Sequence, residues 1–267
     1  MLNITRTAGF DLHLDLSTFE LTSTESFFFS RTTRKARDLR FVLRSWAEDT
    51  PNTDIYYIYY LDHAPADAES VLERYALTYS PVALPPQTIH GEFVKTAGHY
   101  HPLIPGAKYS YPEVYTQLYG QLYLLLQQRD RNSPDTPLDC VLVEMTPGVT
   151  VMIPPEYAHI LVNPTTEVAL MAGLYNKTFM PDYDEVREHR GLAYYLVNSG
   201  ELSIEPNAHY RNVPSLKRLC TLTDSVFAPP DPEVPLWTGF IRSPNKYAFL
   251  SDKHAVETYF NPRPGTR

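Results

Sequence analysis

Cysteine is nearly absent: two residues in a chain of 267. That is too few for a disulfide framework or a zinc–thiolate site, so Cys140 and Cys220 are read as reduced thiols. Glycine is also scarce, 11 against 24 prolines, and no Gly-rich phosphate loop of the P-loop kind occurs. No apolar run approaches the length of a membrane span. The opening MLNITRTAGFDLHLDLSTFE lacks the continuous apolar core of a secretory signal, and a cytoplasmic setting is expected. Basic residues are in deficit, 23 against 31 acidic, for a formal charge of -8 and a pI near 5.6. A field of that sign repels polyanions, so nucleic acid and anionic membranes are not expected partners. A phosphorylated small molecule remains compatible, because local donors override a modest net charge.

Apolar residues make up 43% of the chain and mean hydropathy is -0.31, which suits a soluble protein with a substantial core. The unusual abundances are the 24 prolines and 20 tyrosines. Proline punctuates loops and sheet edges, and tyrosine suits half-buried strands with a polar tip, so the composition leans toward β structure. Within TTRKARDLRFVLRSWAE (32–48), Leu39, Val42, Leu43 and Trp46 recur at helical spacing, and this stretch is predicted as a helix. DIYYIYYL (54–61) reads as a strand, and ADAESVLER (66–74) as a short helix or a loop. From about residue 74 strand-like runs recur between turn signals, the pattern of an all-β jelly-roll barrel. VPSLKRLC (213–220) reads as a short helix and 228–267 as an extended tail that wraps or docks. The expected organisation is an N-terminal extension with a helix (1–53), one β-barrel domain (54–200) and a C-terminal extension (201–267).

The chemistry concentrates in TAGHYHPLIPGAKYSYPEVYTQLYG (96–120) and TPGVTVMIPPEYAHILVN (146–163). His99 and His101 stand two apart, so in an extended chain both imidazoles project from one face. Gly98 just before them lets another group approach the backbone. Glu113 opens the next predicted strand, and His159 follows a Pro-Gly turn, a strand and a Pro-Pro corner. Three neutral imidazoles and a carboxylate suit one divalent ion per chain, Fe(II), Mn(II), Zn(II), Ni(II) or Cu(II), with coordination positions left open. His13, His63, His90, His189, His209 and His254 lie outside this set and are read as ordinary core or surface histidines.

The ordered set of HxH, Glu, Gly120, Pro-Gly, Pro and His159 resembles the two cupin motifs. It departs from them in the eleven residues between His101 and Glu113 and in Glu156, where the second motif usually has Gly. TAGHYHP, YPEVYTQLYGQLYLLLQ and MTPGVTVMIPPEYAHILVNPTTEVALMAGLYNKTFMPDYDEV resemble, more closely, the cupin-type phosphoglucose isomerases of archaea and some bacteria, over roughly 54–200. The resemblance implies a cupin jelly roll, a metal ion on His99, His101, Glu113 and His159, and a homodimer. It implies metal-dependent isomerisation of glucose 6-phosphate and fructose 6-phosphate, and the expected ion is Fe(II), Mn(II), Zn(II) or Ni(II). Phosphate would meet Thr78, Thr96, Gly98 and Tyr175, while Tyr56, Tyr115 and Tyr183 would line the sugar pocket. The family pattern has a His two residues before the last of these tyrosines. Here that position is Pro181, so a polar contact to the sugar is missing or comes from another residue.

Aldose–ketose isomerisation moves hydrogen between C1 and C2. A carboxylate can carry it as a proton through an enediol(ate), and Glu113 is the candidate base; a hydride shift is the rival route. Two other classes use the same barrel and ligand set: metal-dependent cupin dioxygenases and non-catalytic sugar-binding cupins. Oxygen uptake with substrate would mark the first, and ligand affinity without turnover the second.

Overall fold

Along the strand Ala169–Asn176, residues 169 to 174 are all buried, although successive side chains point to opposite faces. A strand apolar on both faces must be covered on both. The computed structural model, which describes residues 1–219, 222 and 225–261, shows what covers each. This strand sits inside a six-stranded sheet with Glu113–Tyr119, Thr150–Ile153, Leu77–Leu84, Asp54–His63 and Phe28–Lys35. Ala169 and Met171 share a core with Leu124, Leu126, Val141 and Ile160 of a four-stranded sheet (Tyr157–Val162, Leu122–Gln128, Asp139–Met145, Lys217–Leu219). The alternate residues Leu170, Ala172 and Leu174 join a second core built from both ends of the described chain. The result is mostly β, with two large sheets enclosing one core and terminal segments enclosing another.

Most of the strands predicted from residue 54 to 176 are present, but 88–101 holds only two short strands, Thr88–Ile89 and Glu92–Phe93, and isolated bridges, while 66–74 is a helix, Ala66–Tyr75. The helix predicted at 32–48 is not. Phe28–Lys35 is an edge strand paired with Asp54–His63, followed by one turn of helix at Ala36–Leu39. Leu39, Val42 and Leu43 are buried as the spacing required, but Leu39 ends that single helical turn and Val42 and Leu43 lie in the turns and bends after it. Thr32 and Thr33, β-branched, favour the strand, and strand pairing overrode the local periodicity.

VPSLKRLC also corrects: Lys217–Leu219 is a strand parallel to Val141–Val143, and Cys220 lies outside the described residues. Cys140 is buried and free, and burial pushes its thiol up to about 12, which suits the reduced reading. Residues 228–261 dock as expected, yet as helices: Leu236–Arg242, a 3-10 helix Pro244–Leu250, and Lys253–Phe260. Two prolines start these helices. Pro235 precedes one and Pro244 opens another, where the missing N–H costs nothing. Residues 262–267 lie outside the described residues.

These helices meet the beginning of the chain on the outer face of the six-stranded sheet. Trp237 packs against Phe10, Phe27 and Tyr79, and Thr238 Oγ1 donates to the Gly9 carbonyl at 3.3 Å. The helix Lys253–Phe260 also reaches the loop between His101 and Glu113, where Val256 and Phe260 pack with Ile104 and Tyr111. Among the described residues no helix is long and apolar enough to cross a membrane.

Candidate metal centre and active site

His99 and His159 face each other across an isolated antiparallel bridge. His101 lies two residues on, and Glu113 enters from the facing six-stranded sheet. One ligand atom from each of the four lies within 4.8 Å of all the others. The four residues named from the sequence therefore converge.

Their hydrogen bonding shows what the cluster is built for. Nδ1 of His101 is 2.8 Å from the Tyr111 carbonyl, to which it donates. Burial holds this imidazole down to about 4, so it is neutral and carries one N–H. Its Nε2 is then a bare lone pair, 3.1 Å from Nε2 of His99 and 3.4 Å from Oε2 of Glu113. Nε2 of His159, 3.5 Å from the same carboxylate oxygen, has no hydrogen-bond partner among the described residues. Burial, then neighbouring imidazoles, also hold His99 and His159 well below the ordinary histidine range. Burial pushes the Glu113 carboxyl well above the carboxylate range, against a lowering by its hydrogen bond with Tyr115. Buried lone pairs facing one another are unfavourable until a cation lies among them, and a divalent charge would reverse the bias at Glu113. The residues present fit a divalent ion, and the Tyr111 carbonyl fixes the tautomer from outside.

Two glycines make room. Gly98 has φ +74°, and the Ile160 side chain occupies the space where its Cβ would stand. Gly173 pairs with Tyr115, and a Cβ there would lie 2.5 Å from Oε1 of Glu113 and 2.9 Å from the Tyr115 ring. Gly173→Ala should therefore push the carboxylate off its position while leaving the sheet intact. The expected result is metal affinity lower by about tenfold to a hundredfold, as when the support of a ligand is removed, with a melting temperature close to that of the parent. Metal titration beside a thermal melt checks it, and unchanged affinity would rule out a spatial role for Gly173.

Glu156, the departure from the cupin pattern, has φ +68°, the left-handed conformation that favours glycine there. Its carboxylate compensates, accepting from Arg129 at 3.1 Å and Arg131 at 2.7 Å. Burial raises this carboxyl, but those bonds outweigh it and hold it below the ordinary range. Arg129 is buried, lies 4.4 Å over the Tyr100 ring, and donates to the His101 carbonyl at 3.4 Å. It also approaches Asp182 at 3.6 Å, and so ties the histidine segment to the loop that carries Tyr183.

A cavity of about 150 Å³ opens on the cluster, lined by His99, Glu113 and His159. Tyr56, Thr96, Gly98, Tyr115, Tyr175 and Tyr183 also line it, as does Pro181. Thr78 does not. It stands opposite Tyr175 and has the right parity, but lies one strand repeat too far along and lines a separate hollow with Asp62, His63 and Lys177. Ser80, two residues on, lines the cavity instead. The sequence reading also missed Arg34, Tyr60 and Phe179. Alternation from Tyr56 through Ile58 points to Tyr60, whereas Arg34 was concealed within the predicted helix.

Two sheets enclosing a three-histidine, one-carboxylate cluster define a protein of the cupin class. A family model described as Glucose-6-phosphate isomerase (GPI) matches residues 33–212, and the chain belongs to that family. It is 26% identical to the glucose-6-phosphate isomerase of Pyrococcus furiosus over 170 residues, 63% of this chain and 80% of that protein. With the glucose-6-phosphate isomerase of Thermococcus gammatolerans it shares 27% identity over 184 residues, 67% of this chain and 87% of that one. A solved structure of a cupin 2 conserved barrel domain protein from Rhodopseudomonas palustris is 12% identical over 58% of this chain and 76% of that one, with a TM-score of 0.34.

Proposed function

We propose that this protein interconverts glucose 6-phosphate and fructose 6-phosphate in the cavity above His99, His101, Glu113 and His159. The observation that carries the proposal is the convergence of those four ligand atoms within 4.8 Å, in a chain of the glucose-6-phosphate isomerase family. A divalent ion held there would supply Lewis-acid polarisation of the sugar carbonyl. The chain's own residues supply the rest. Glu113 directs Oε2 toward His101 and His159 and holds Oε1 over Gly173. Its carboxylate takes a proton from one of C1 and C2 and returns it to the other, by way of an enediol(ate). Tyr56, Tyr115 and Tyr183 offer phenol groups to the sugar hydroxyls.

Thr96, Gly98 and Tyr175 lie on the same lining and are the proposed phosphate contacts. Thr96 Oγ1 accepts from the Leu161 amide at 3.0 Å, which leaves its hydroxyl hydrogen for a ligand. A cytoplasmic setting fits a sugar-phosphate substrate, and the homodimer rests on the family resemblance.

The test pairs metal analysis of the purified protein with a coupled assay on fructose 6-phosphate. His159→Ala should lose bound metal and turnover together, while exposed His209→Ala should alter neither. Full metal and full turnover in the His159→Ala protein would dismantle the site. Oxygen consumption driven by substrate would assign it to an oxygenase instead.

A further inference from the structure

The phosphate contacts proposed above are hydroxyls and an amide, in a chain that is net acidic at -8, so a cation on the cavity lining would add the charge that a phosphate dianion calls for. Among the residues lining the cavity there is no lysine and one arginine, Arg34. It stands opposite Tyr56 on the edge strand, so it shares the face of Tyr56, Ile58 and Tyr60. The register slips at this point, Arg34 pairing with Tyr56 but Lys35 with Asp54. Such a bulge re-aims a side chain and is frequent beside active sites.

The neighbouring cations are occupied. Arg31 lies 4.9 Å over the Tyr57 ring and donates to the Thr18 carbonyl at 2.7 Å, and Lys35 pairs with Asp54 at 2.5 Å. Arg34 is half-buried, and its guanidinium has neither an ion pair nor a hydrogen bond to another described residue. Its charge is felt by the phenols of Tyr56 and Tyr183, both on the cavity wall. Partial burial of a guanidinium without a partner is unfavourable, and a ligand that supplies the missing anion relieves it.

We infer that Arg34 is the cation that recognises the phosphate of the substrate, and so selects sugar phosphates over free sugars. The planar fork of donors matches two phosphate oxygens at once, which a hydroxyl or a lysine does not. The inference rests on the isomerase reading for the identity of the sugar, but not for the recognition of phosphate.

The test uses metal-loaded protein in three forms: parent, Arg34→Gln and Arg34→Lys. Arg34→Gln should raise KM for fructose 6-phosphate by about tenfold to a hundredfold, the cost of one charge-assisted bond. The preference for fructose 6-phosphate over free fructose should fall by the same factor, and calorimetry should show weaker binding of inorganic phosphate. Arg34→Lys should recover part of each. The edge position predicts an unchanged melting temperature and metal content. If the Gln variant lost either, Arg34→Lys, which keeps the charge without the fork, would carry the test alone, with KM required to rise at unchanged stability. A parent that isomerises fructose 6-phosphate and an Arg34→Gln variant within about twofold of it would overturn the role of Arg34 and leave the isomerase reading standing. A parent that isomerises neither sugar phosphate would overturn the isomerase reading. The calorimetric comparison would then decide Arg34 by itself: weaker phosphate binding in the Gln variant sustains it, and equal binding removes it.

Discussion

Glu113→Gln protein, saturated with metal, should hold its ion and turn over at about a hundredth to a ten-thousandth of the parent rate, the usual contribution of a general base. Glutamine keeps the shape and one carbonyl oxygen but loses the charge and the basic oxygen. Three imidazoles remain within reach of an ion, so affinity should weaken without vanishing, and excess metal should refill the site. Glu113→Asp is the control. It keeps the charge but withdraws the oxygens by about one methylene, so it should bind metal better than Gln and stay slow. Occupancy and turnover have to be measured in the same sample, because an empty site is slow for a trivial reason. Near-normal turnover of the filled Gln variant would relieve Glu113 of proton transfer and favour the hydride shift.

Trp237→Ala should destabilise the fold by about 3–5 kcal/mol, the range for deleting a large buried aromatic. Trp237 is 5% exposed, with ring centroids 5.2 Å from Phe10, 5.4 Å from Phe27 and 5.4 Å from Tyr79. It is the wedge joining the helix Leu236–Arg242, the beginning of the chain and the outer face of the six-stranded sheet. At about 2–4 °C per kcal/mol for a domain of this size, the melting temperature should fall by roughly 6–20 °C. A melt like that of the parent would mean that the terminal layer is a loosely attached tail. Metal bound per folded molecule should be nearly unchanged, which separates this effect from damage at the site.

How much was legible in the sequence depended on the range of the interaction. The strands from residue 54 to 176 announced themselves through alternation and turn residues, which act over a few positions. The metal cluster was legible for a related reason. His99 and His101 share a face by strand parity, and Glu113 and His159 each occupy an ordered place after a recognisable turn. Thr78 was right in parity and wrong by one repeat, because alternation states which face a residue is on but not how deep the cavity runs. Gly173 could not be singled out, since its role depends on Glu113 arriving across the sheet. Arg34 was hidden by a true hydrophobic spacing attached to the wrong element. Leu39, Val42 and Leu43 are buried, but they follow a strand whose pairing is set by residues 54–63. The three short helices after residue 235 fell below the window over which helical periodicity accumulates.

The contact between Gly9 and Thr238 spans 229 positions, and this separation has a consequence during synthesis. At roughly 5–20 residues per second, a ribosome needs about 10–45 s to travel that distance. The strands of the large sheet can all pair only once Asn176 has been made, and from there to Thr238, roughly 3–12 s at the same rate, Leu118, Leu170 and Leu174 on the outer face await a cover that has not been translated. Exposed apolar sheet of this kind is what chaperones bind and what aggregation uses. The enzyme's vulnerable period is therefore set by translation rather than by chemistry, and slower elongation after residue 176 would lengthen it.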